Sequence, residues 1–492
     1  MPTSPSETFE RWLRELPPAR LEPVASRYAA RAKELGLCVT QPDGSEKAIP
    51  PVLSPFVVDD AWLKAQVDAA QHLTALVHRV TSGMLAGPEK TSILDALFPF
   101  ERTCIESAGL AERLATVRAD LFVGERGAQA LELNATIPAM QGYSDIAVRA
   151  FLEAVGPELG LDAKAIERAV TDNGENARAL FDALQLFCRA RTGKPFERVA
   201  LVHRPQDAQL SELRYLSRRW EQLGVRTFVI EVGELAWDGA RVTARGEPVD
   251  FVYRHIFARR IEPDSGLGQM LQKRQTLPLS NPVAAPLEMK ATFAELSRTA
   301  HEPALAKRYG LNDAALERVR AFVPWTRPLK HGPTDGPEGE RIDELVAHVA
   351  HEPARYVLKR SWDYGGRAVF LGFEADLPVT RERAAAAFGE PLAWPELVKR
   401  AADDPRGGGF VVQERVVTQA AEHLLVTADG ARWLPFFTDF SVYASLGQQT
   451  PGWGGVVRAS TSAVVNIASG GGVAPVLRAQ AAAPLLAALA KK

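Results

Sequence analysis

Apolar positions over the first 192 residues recur mostly at helical spacing. Phe9, Trp12, Leu13 and Leu16 follow Ser4-Pro5-Ser6-Glu7, a capping-box sequence with proline in its first turn, and Pro17-Pro18 closes the segment. Two longer amphipathic stretches, 59–81 and 162–191, predict further helices. Between them the period changes to two. Residues 116–123, a turn from Gly124 to Gly127, and residues 128–134 predict strand, tight turn, strand. A lone hairpin is marginal in water, so this one predicts a sheet completed from elsewhere in the chain.

From Arg198 the pattern changes again. Residues 199–202, 226–231 and 250–254 are short apolar strands, and 209–223 reads as a helix between the first two. That is a βαβ-like unit over about 195–285, with Asn281-Pro282 at its exit and a new helix over 287–296. The remaining 200 or so residues alternate strands (355–360, 368–372, 410–413, 435–442, 455–460, 463–467) with helices and glycine-rich turns, while the polar stretch 330–340 predicts a mobile loop. The expected fold class is therefore mixed α/β. No repeat at solenoid periods is present.

Composition narrows the function. Of 492 residues, 46% are hydrophobic and 24% charged, with Lys+Arg 58 against Asp+Glu 60. A net charge of -2 provides no global field for nucleic acid or an anionic bilayer. The 3 cysteines, Cys38, Cys104 and Cys188, are scattered without CxxC spacing, which predicts buried thiols in a reducing compartment. No secretory signal is visible in MPTSPSETFERWLREL, and the apolar stretch 481–490 is too short to span a bilayer. A soluble, cytoplasmic protein is expected, with no membrane partner.

Four segments carry candidate chemistry. In the hairpin, Glu132 and Asn134 are two apart and share a strand face, and Asp120 on the adjoining strand could reach it. Two carboxylates and an amide oxygen form a hard donor set suited to Mg²⁺, and Arg118 shares the face of Asp120. A solvated hairpin pairing Arg118 with Glu132 is the alternative. Second, Lys359 near the end of an apolar strand, followed by Gly365 and Gly366, resembles a phosphate clamp, or else a routine hairpin with a snorkelling lysine. It is no P-loop. Third, the strand running into Gln413, Glu414 and Val416 could offer its backbone to an adenine edge. Fourth, Arg458 ends a strand, and Asn466 and Ser469 lead into Gly470-Gly471-Gly472, whose glycines permit close approach to an anion or form a surface loop. Tyr253-Arg254-His255 at a strand end could contact a carboxylate or phosphate, with a structural histidine as the alternative.

Together these segments resemble the ATP-grasp superfamily in its circularly permuted form, near glutathionylspermidine synthetase and the circularly permuted ATP-grasp type 2 group. Arg118-x-Asp120 followed by Glu132-x-Asn134 is similar to that family's arginine and three metal ligands; Asn281-Pro282, Met289-Lys290 and "VVNIASGGG" resemble later elements. The resemblance covers about 115–145 and 250–475. It implies a helical region over 1–192 carrying the permuted hairpin, a small α/β substrate domain over 193–285, and an ATP-grasp lid and core over 286–492. It further implies ATP and Mg²⁺ as cofactors, with Asp120, Glu132 and Asn134 on the metal, and Lys290, Lys359, Gly365, Gly366, Gln413, Glu414 and Val416 on the nucleotide. Arg118 and Arg458 would be catalytic.

The implied reaction is ligation of a small-molecule carboxylate to an amine through an acyl phosphate. A small-molecule kinase and a non-catalytic nucleotide-binding protein stay open, and a homo-oligomer is compatible with either. Met289 in place of a polar residue, and the lack of Lys-Asp after the triglycine, depart from the pattern.

Overall fold

The computed structural model describes residues 4–273, 278–363, 365–418, 420–427, 429–449, 454–465, 467 and 471–491. Helix Pro5–Glu15 begins at the predicted box: the Ser4 hydroxyl accepts the Glu7 N–H, and the Glu7 carboxylate accepts the Ser4 N–H. The stretch 162–191 forms two helices, Ala163–Asn173 and Asn176–Thr192. The break comes at Gly174, where φ is +74°, and the buried Asp145 carboxylate accepts the N–H groups of Asn176 and Ala177 to start the second helix.

The acidic hairpin forms as predicted, from β1 (Leu114–Gly124) and β2 (Gly127–Asn134). The α/β unit contributes β3 (Arg198–His203), β4 (Arg226–Glu231), β5 (Phe251–His255) and β6 (Leu279–Ser280), parallel in the order β6-β5-β3-β4. Next in the chain is a four-stranded antiparallel sheet of β7 (Thr326–Pro328), β8 (Tyr356–Arg360), β9 (Val369–Leu371) and β10 (Phe410–Glu414), ordered β7-β10-β8-β9. Its apolar face has a core of its own. Trp394, Leu397, Val398 and Ala401, at i, i+3, i+4 and i+7, form the buried side of helix Trp394–Ala402 and join Leu358, Phe410 and Val412 there.

The orphan hairpin finds its sheet at the far end of the chain. Strands β11 (Ala421–Thr427), β12 (Gly430–Leu446), β13 (Gly455–Ser460) and β14 (Gly472–Ala474) follow, and the sheet runs β14-β13-β12-β1-β2, with β11 pairing the first part of β12. β12 pairs antiparallel with β1, setting Ser441 opposite Asp120 and Tyr443 opposite Arg118. Alternation divides the sheet chemically. Phe440, Val442, Ala444, Val117, Ala119 and Leu121 are buried in the apolar core on one face, where Trp62 of helix Asp60–Leu85 meets Phe440 edge-on at 5.1 Å. Charged residues occupy the other.

Three expectations need correction. Residues 463–465 form no strand: the Ser462 hydroxyl takes the Val464 N–H, satisfying the backbone locally, and Asn466 lies outside the described residues. The polar stretch 330–340 is ordered at its centre, where Thr334–Asp335 pairs with Arg341–Ile342 and Asp335 forms an ion pair with buried Arg327. In the triglycine, Gly472 opens β14, and a Cβ there would lie 2.6 Å from the Pro50 carbonyl oxygen; Ser469 and Gly470 lie outside the described residues. Among the described residues, no helix is long and apolar enough to cross a membrane.

Candidate active site

Antiparallel pairing sets Asp120 opposite Glu132 and Arg118 opposite Asn134, so the four predicted hairpin residues share one face. β12 and β13 extend that face with Ser441, Asp439 and, opposite Asp439, Arg458. The result is a ladder of alternating charge. Arg118 donates through Nε and Nη2 to the two oxygens of Asp120 at 2.7 and 3.0 Å, Ser441 Oγ donates to Oδ1 at 3.0 Å, and Arg458 Nη2 donates to Oδ2 at 2.9 Å. Arg458 also donates through Nε to Asp439 Oδ1 at 3.0 Å and through Nη2 to Oδ2.

Burial drives the Asp120 carboxyl upward, but the Arg118 and Arg458 guanidiniums outweigh it and hold the group well below the usual carboxylate range. Asp439 goes the other way: burial raises it, and Arg458 offsets only part of that.

The antiparallel sheet β7-β10-β8-β9 faces this ladder across a cleft enclosing about 200 Å³. Lys359 projects from β8 into it, and its Nζ donates to Gln413 Oε1 on β10 at 2.8 Å; Gln413 Nε2 donates to Thr326 Oγ1 at 3.0 Å. Burial lowers Lys359 to about 8, against the opposing pull of Glu132. Lys290 opens helix Lys290–Thr299. Its Nζ donates to the Asp363 carbonyl at 2.8 Å and lies 3.3 Å from Glu132 Oε2. Glu132 is pushed up by burial and pulled below its ordinary value, chiefly by Lys290.

The loop at 361–367 springs from the same place. Ser361 accepts the Lys290 N–H through its carbonyl and the Ala291 N–H through its hydroxyl, and Trp362 Nε1 donates to buried Glu101 at 2.9 Å. Gly365 and Gly366 adopt φ of +66° and +73°, the left-handed region where glycine carries no steric cost. Tyr364 of this loop lies outside the described residues.

Arg118, Asp120, Glu132, Asn134, Lys290, Lys359, Gly365, Gly366, Gln413, Glu414, Val416 and Arg458 all line this one cleft. Apolar side chains line it as well: Phe122 and Leu131 from the hairpin; Val357, Leu371 and Phe373 from the facing sheet and the turn after it. Phe373 lies under the Arg415 guanidinium at 3.7 Å. Arg254 and His255 do not join the cleft. Arg254 donates to the carbonyls of Asn281 (2.8 Å), Ile256 (2.5 Å) and Pro282 (3.2 Å), and His255 is buried beside Asp207, so neither is available to a substrate.

No protein-family model matches the chain, and no curated protein matches it. Among solved structures, a glutathione synthetase-like effector from Globodera pallida in its apo form superposes with a TM-score of 0.60, covering 94% of this chain and 98% of its own at 12% identity. The chain has a glutathione synthetase-like fold. A candidate gamma-glutamylcysteine synthetase from Methylobacillus flagellatus KT overlaps more loosely, with a TM-score of 0.38 at 13% identity over 80% of this chain and 85% of that one. The shared architecture is mixed α/β.

Within this glutathione synthetase-like fold, sequence reasoning missed Asp439, Ser441 and Tyr443. They alternate along β12 between apolar residues, a period-two signal in itself, but their relation to Asp120 and Arg118 spans some three hundred positions. It also missed Asn281 as a brace. That buried side chain accepts the Ala115 N–H (3.0 Å) and donates to the carbonyls of Thr116 and Ala135 (both 2.7 Å), tying the start of β1 to the end of β2.

A divalent cation fits part of this donor set. Among the described residues no three His, Cys, Asp or Glu side chains form a metal cage. Mg²⁺ needs none, since it retains waters and is held by one or two carboxylates plus phosphate oxygens. Glu132 and Asn134 both line the cleft and bring a carboxylate and an amide oxygen to it, while the unpartnered Asn134 side-chain nitrogen, a donor, takes no part in holding a cation. Asp120, by contrast, already accepts four hydrogen bonds.

Proposed function

We propose that this protein is an ATP-dependent carboxylate–amine ligase that works through an acyl phosphate. The observation that carries the reading is the convergence of the acidic hairpin with Lys290, Lys359 and Arg458 on one cleft, where Lys290 Nζ lies 3.3 Å from Glu132 Oε2. The chain order, hairpin before both lysines, resembles that of a circularly permuted ATP-grasp protein, and the mixed α/β fold shared with the effector is compatible with a ligase of that kind.

In this reading the base lies between Leu131 and Phe122 on one side and Val357 and Leu371 on the other, with the backbone at Glu414 and Val416 meeting its polar edge. Lys359 and Lys290 neutralise the phosphate oxygens. Phosphoryl transfer depends chiefly on positioning and charge neutralisation, and this site provides both. Glu132 and Asn134 would hold Mg²⁺, with Asp120 joining them once Arg458 turns toward phosphate; the ion supplies charge neutralisation at the terminal phosphates.

A substrate carboxylate oxygen attacks the γ-phosphorus and ADP departs. An amine then attacks the acyl carbon, phosphate leaves and the nitrogen loses its proton. Arg118 and Arg458 suit the carboxylate and the transferred phosphoryl because a planar fork holds such groups in two places. The loop 361–367 excludes water from the acyl phosphate.

The test is a panel of carboxylates and amines scored for ADP release, with ¹⁸O-labelled carboxylate. The expected result is label in inorganic phosphate and ADP release that needs both substrates. A stable phosphorylated product formed without amine would replace the ligase with a kinase. Binding without ADP formation across the panel would remove catalysis altogether.

A further inference from the structure

Glu288 belongs to none of the roles above, yet it sits where two of them meet. It ends the short helix Ala285–Glu288, two residues before Lys290, and its side chain is buried. Its Oε1 accepts the N–H groups of both Ala135 and Thr136, the two residues directly after Asn134. The partners are about 153 positions apart in the chain. Ala135 and Thr136 are themselves buried, so without this acceptor two N–H groups would be stranded away from water.

The remaining contacts on this stretch come from other directions. Asn281 holds the Ala135 carbonyl, Arg118 Nη1 and Tyr443 Oη both donate to the Ala139 carbonyl at 3.1 Å, and Glu212 Oε1 accepts the N–H groups of Met140 and Gly142. Glu288 alone among these links the end of β2 to the start of the helix that bears Lys290.

We propose that Glu288 is a positioning residue that sets the distance between the oxygen donors Glu132 and Asn134 and the Lys290 ammonium. It rests on the nucleotide reading above. The backbone direction leaving Asn134 is set by where the next two N–H groups point, and that direction aims the Asn134 amide and, two residues back on the same strand face, the Glu132 carboxylate. A single acceptor two residues before Lys290 therefore ties the two sides of the gap that a metal-bound triphosphate would fill. Displacements of about 1 Å in such a frame cost roughly a hundredfold. The helix keeps a separate hold on Ser361, so losing Glu288 displaces the oxygen donors more than the lysine.

The experiment measures nucleotide binding as a function of Mg²⁺ concentration by calorimetry, with thermal melting alongside, for the wild-type chain, Glu288→Gln and Glu288→Ala. Glu288→Gln keeps an oxygen that can accept both N–H groups and is expected to bind within threefold of wild type. Glu288→Ala is expected to raise the Mg²⁺ concentration at half-saturation at least tenfold, while metal-free nucleotide affinity changes less than threefold. If Glu288→Ala does not fold, Glu288→Asp, which draws the carboxylate back by one methylene, takes its place with the same expectation. A lowered melting temperature with an unshifted Mg²⁺ requirement would overturn the proposal and leave Glu288 a purely structural group. Glu288→Gln as impaired as Glu288→Ala would overturn it too, because charge and not the acceptor geometry would then matter. Wild-type protein showing no Mg²⁺-dependent nucleotide binding would remove the functional reading, and this proposal with it.

Discussion

Lys359 is a buried ammonium whose proton is held less tightly than usual. Burial lowers it from 10.5 to about 8, so between those values the unfolded chain holds a proton that the folded chain has released. Stability therefore gains from Lys359 as pH rises through that window. Phosphate binding follows the opposite sign, since the anion needs the charged form. Nucleotide affinity should fall above pH 8, by at most roughly tenfold per pH unit, the slope of one linked proton. Comparing wild type with Lys359→Met by denaturant melts and binding titrations from pH 7 to 10 checks both slopes; both pH effects should vanish in the variant.

Arg458 gives a second prediction at this scale. Removing it leaves Asp439, 4% exposed, without its guanidinium. Arg458→Ala should cost roughly 3–5 kcal/mol in urea unfolding, as breaking buried pairs does. Adding Asp439→Asn should recover a large part, because the uncompensated charge is gone. A double variant as unstable as the single one would contradict the ladder of paired charges.

Among the elements, the hairpin and the segment that follows strand β10 approach each other closely. A Cβ on Gly124 would lie 2.9 Å from the Val417 carbonyl oxygen and 3.1 Å from Val416 Cγ1. Gly124→Ala must displace the backbone beside Val416, so it should cost about 1–3 kcal/mol and weaken nucleotide binding several-fold in calorimetry. Wild-type affinity in that variant would mean that the hairpin tip does not shape the base end of the cleft.

The hairpin was readable in the sequence because alternation and a Gly-bounded turn are local signals, as was the capping box at Ser4. The strand β12 was readable only in its middle. Its first part, Gly430 to Leu434, mixes small, charged and aromatic residues, and it forms strand because β11 pairs with it. Failure at 463–467 has a similar origin in reverse: Val464-Val465 favours a strand, but the hydroxyls of Ser460 and Ser462 offer the backbone nearer partners. Candidate site residues were legible where spacing carried them, as in Arg118, Asp120, Glu132 and Asn134. Alternation marks Asp439 as a strand residue without revealing its pairing with Arg458, and the bracing roles of Asn281 and Glu288 have no local signature because their partners lie far away in the chain.

Over the whole molecule, the first and last parts of the chain share one sheet. β12 lies between β1 and β13, so a chain beginning after residue 135 would expose the apolar face and one edge of its central strand. A 136–492 fragment should therefore lack near-ultraviolet circular dichroism and a cooperative melt. If it melted cooperatively near the full-length temperature, the two halves would be independent and the cleft between them a secondary feature.

The convergence of the acidic hairpin and the lysines on one triphosphate is tested most directly by titrating ATP into the wild-type chain and into Glu132→Ala, each with and without Mg²⁺. The account predicts one nucleotide per wild-type chain with affinity that depends on Mg²⁺, and at least a hundredfold loss of that Mg²⁺-dependent binding in a Glu132→Ala variant that melts like wild type. Equal Mg²⁺-ATP affinity in the two proteins would contradict it.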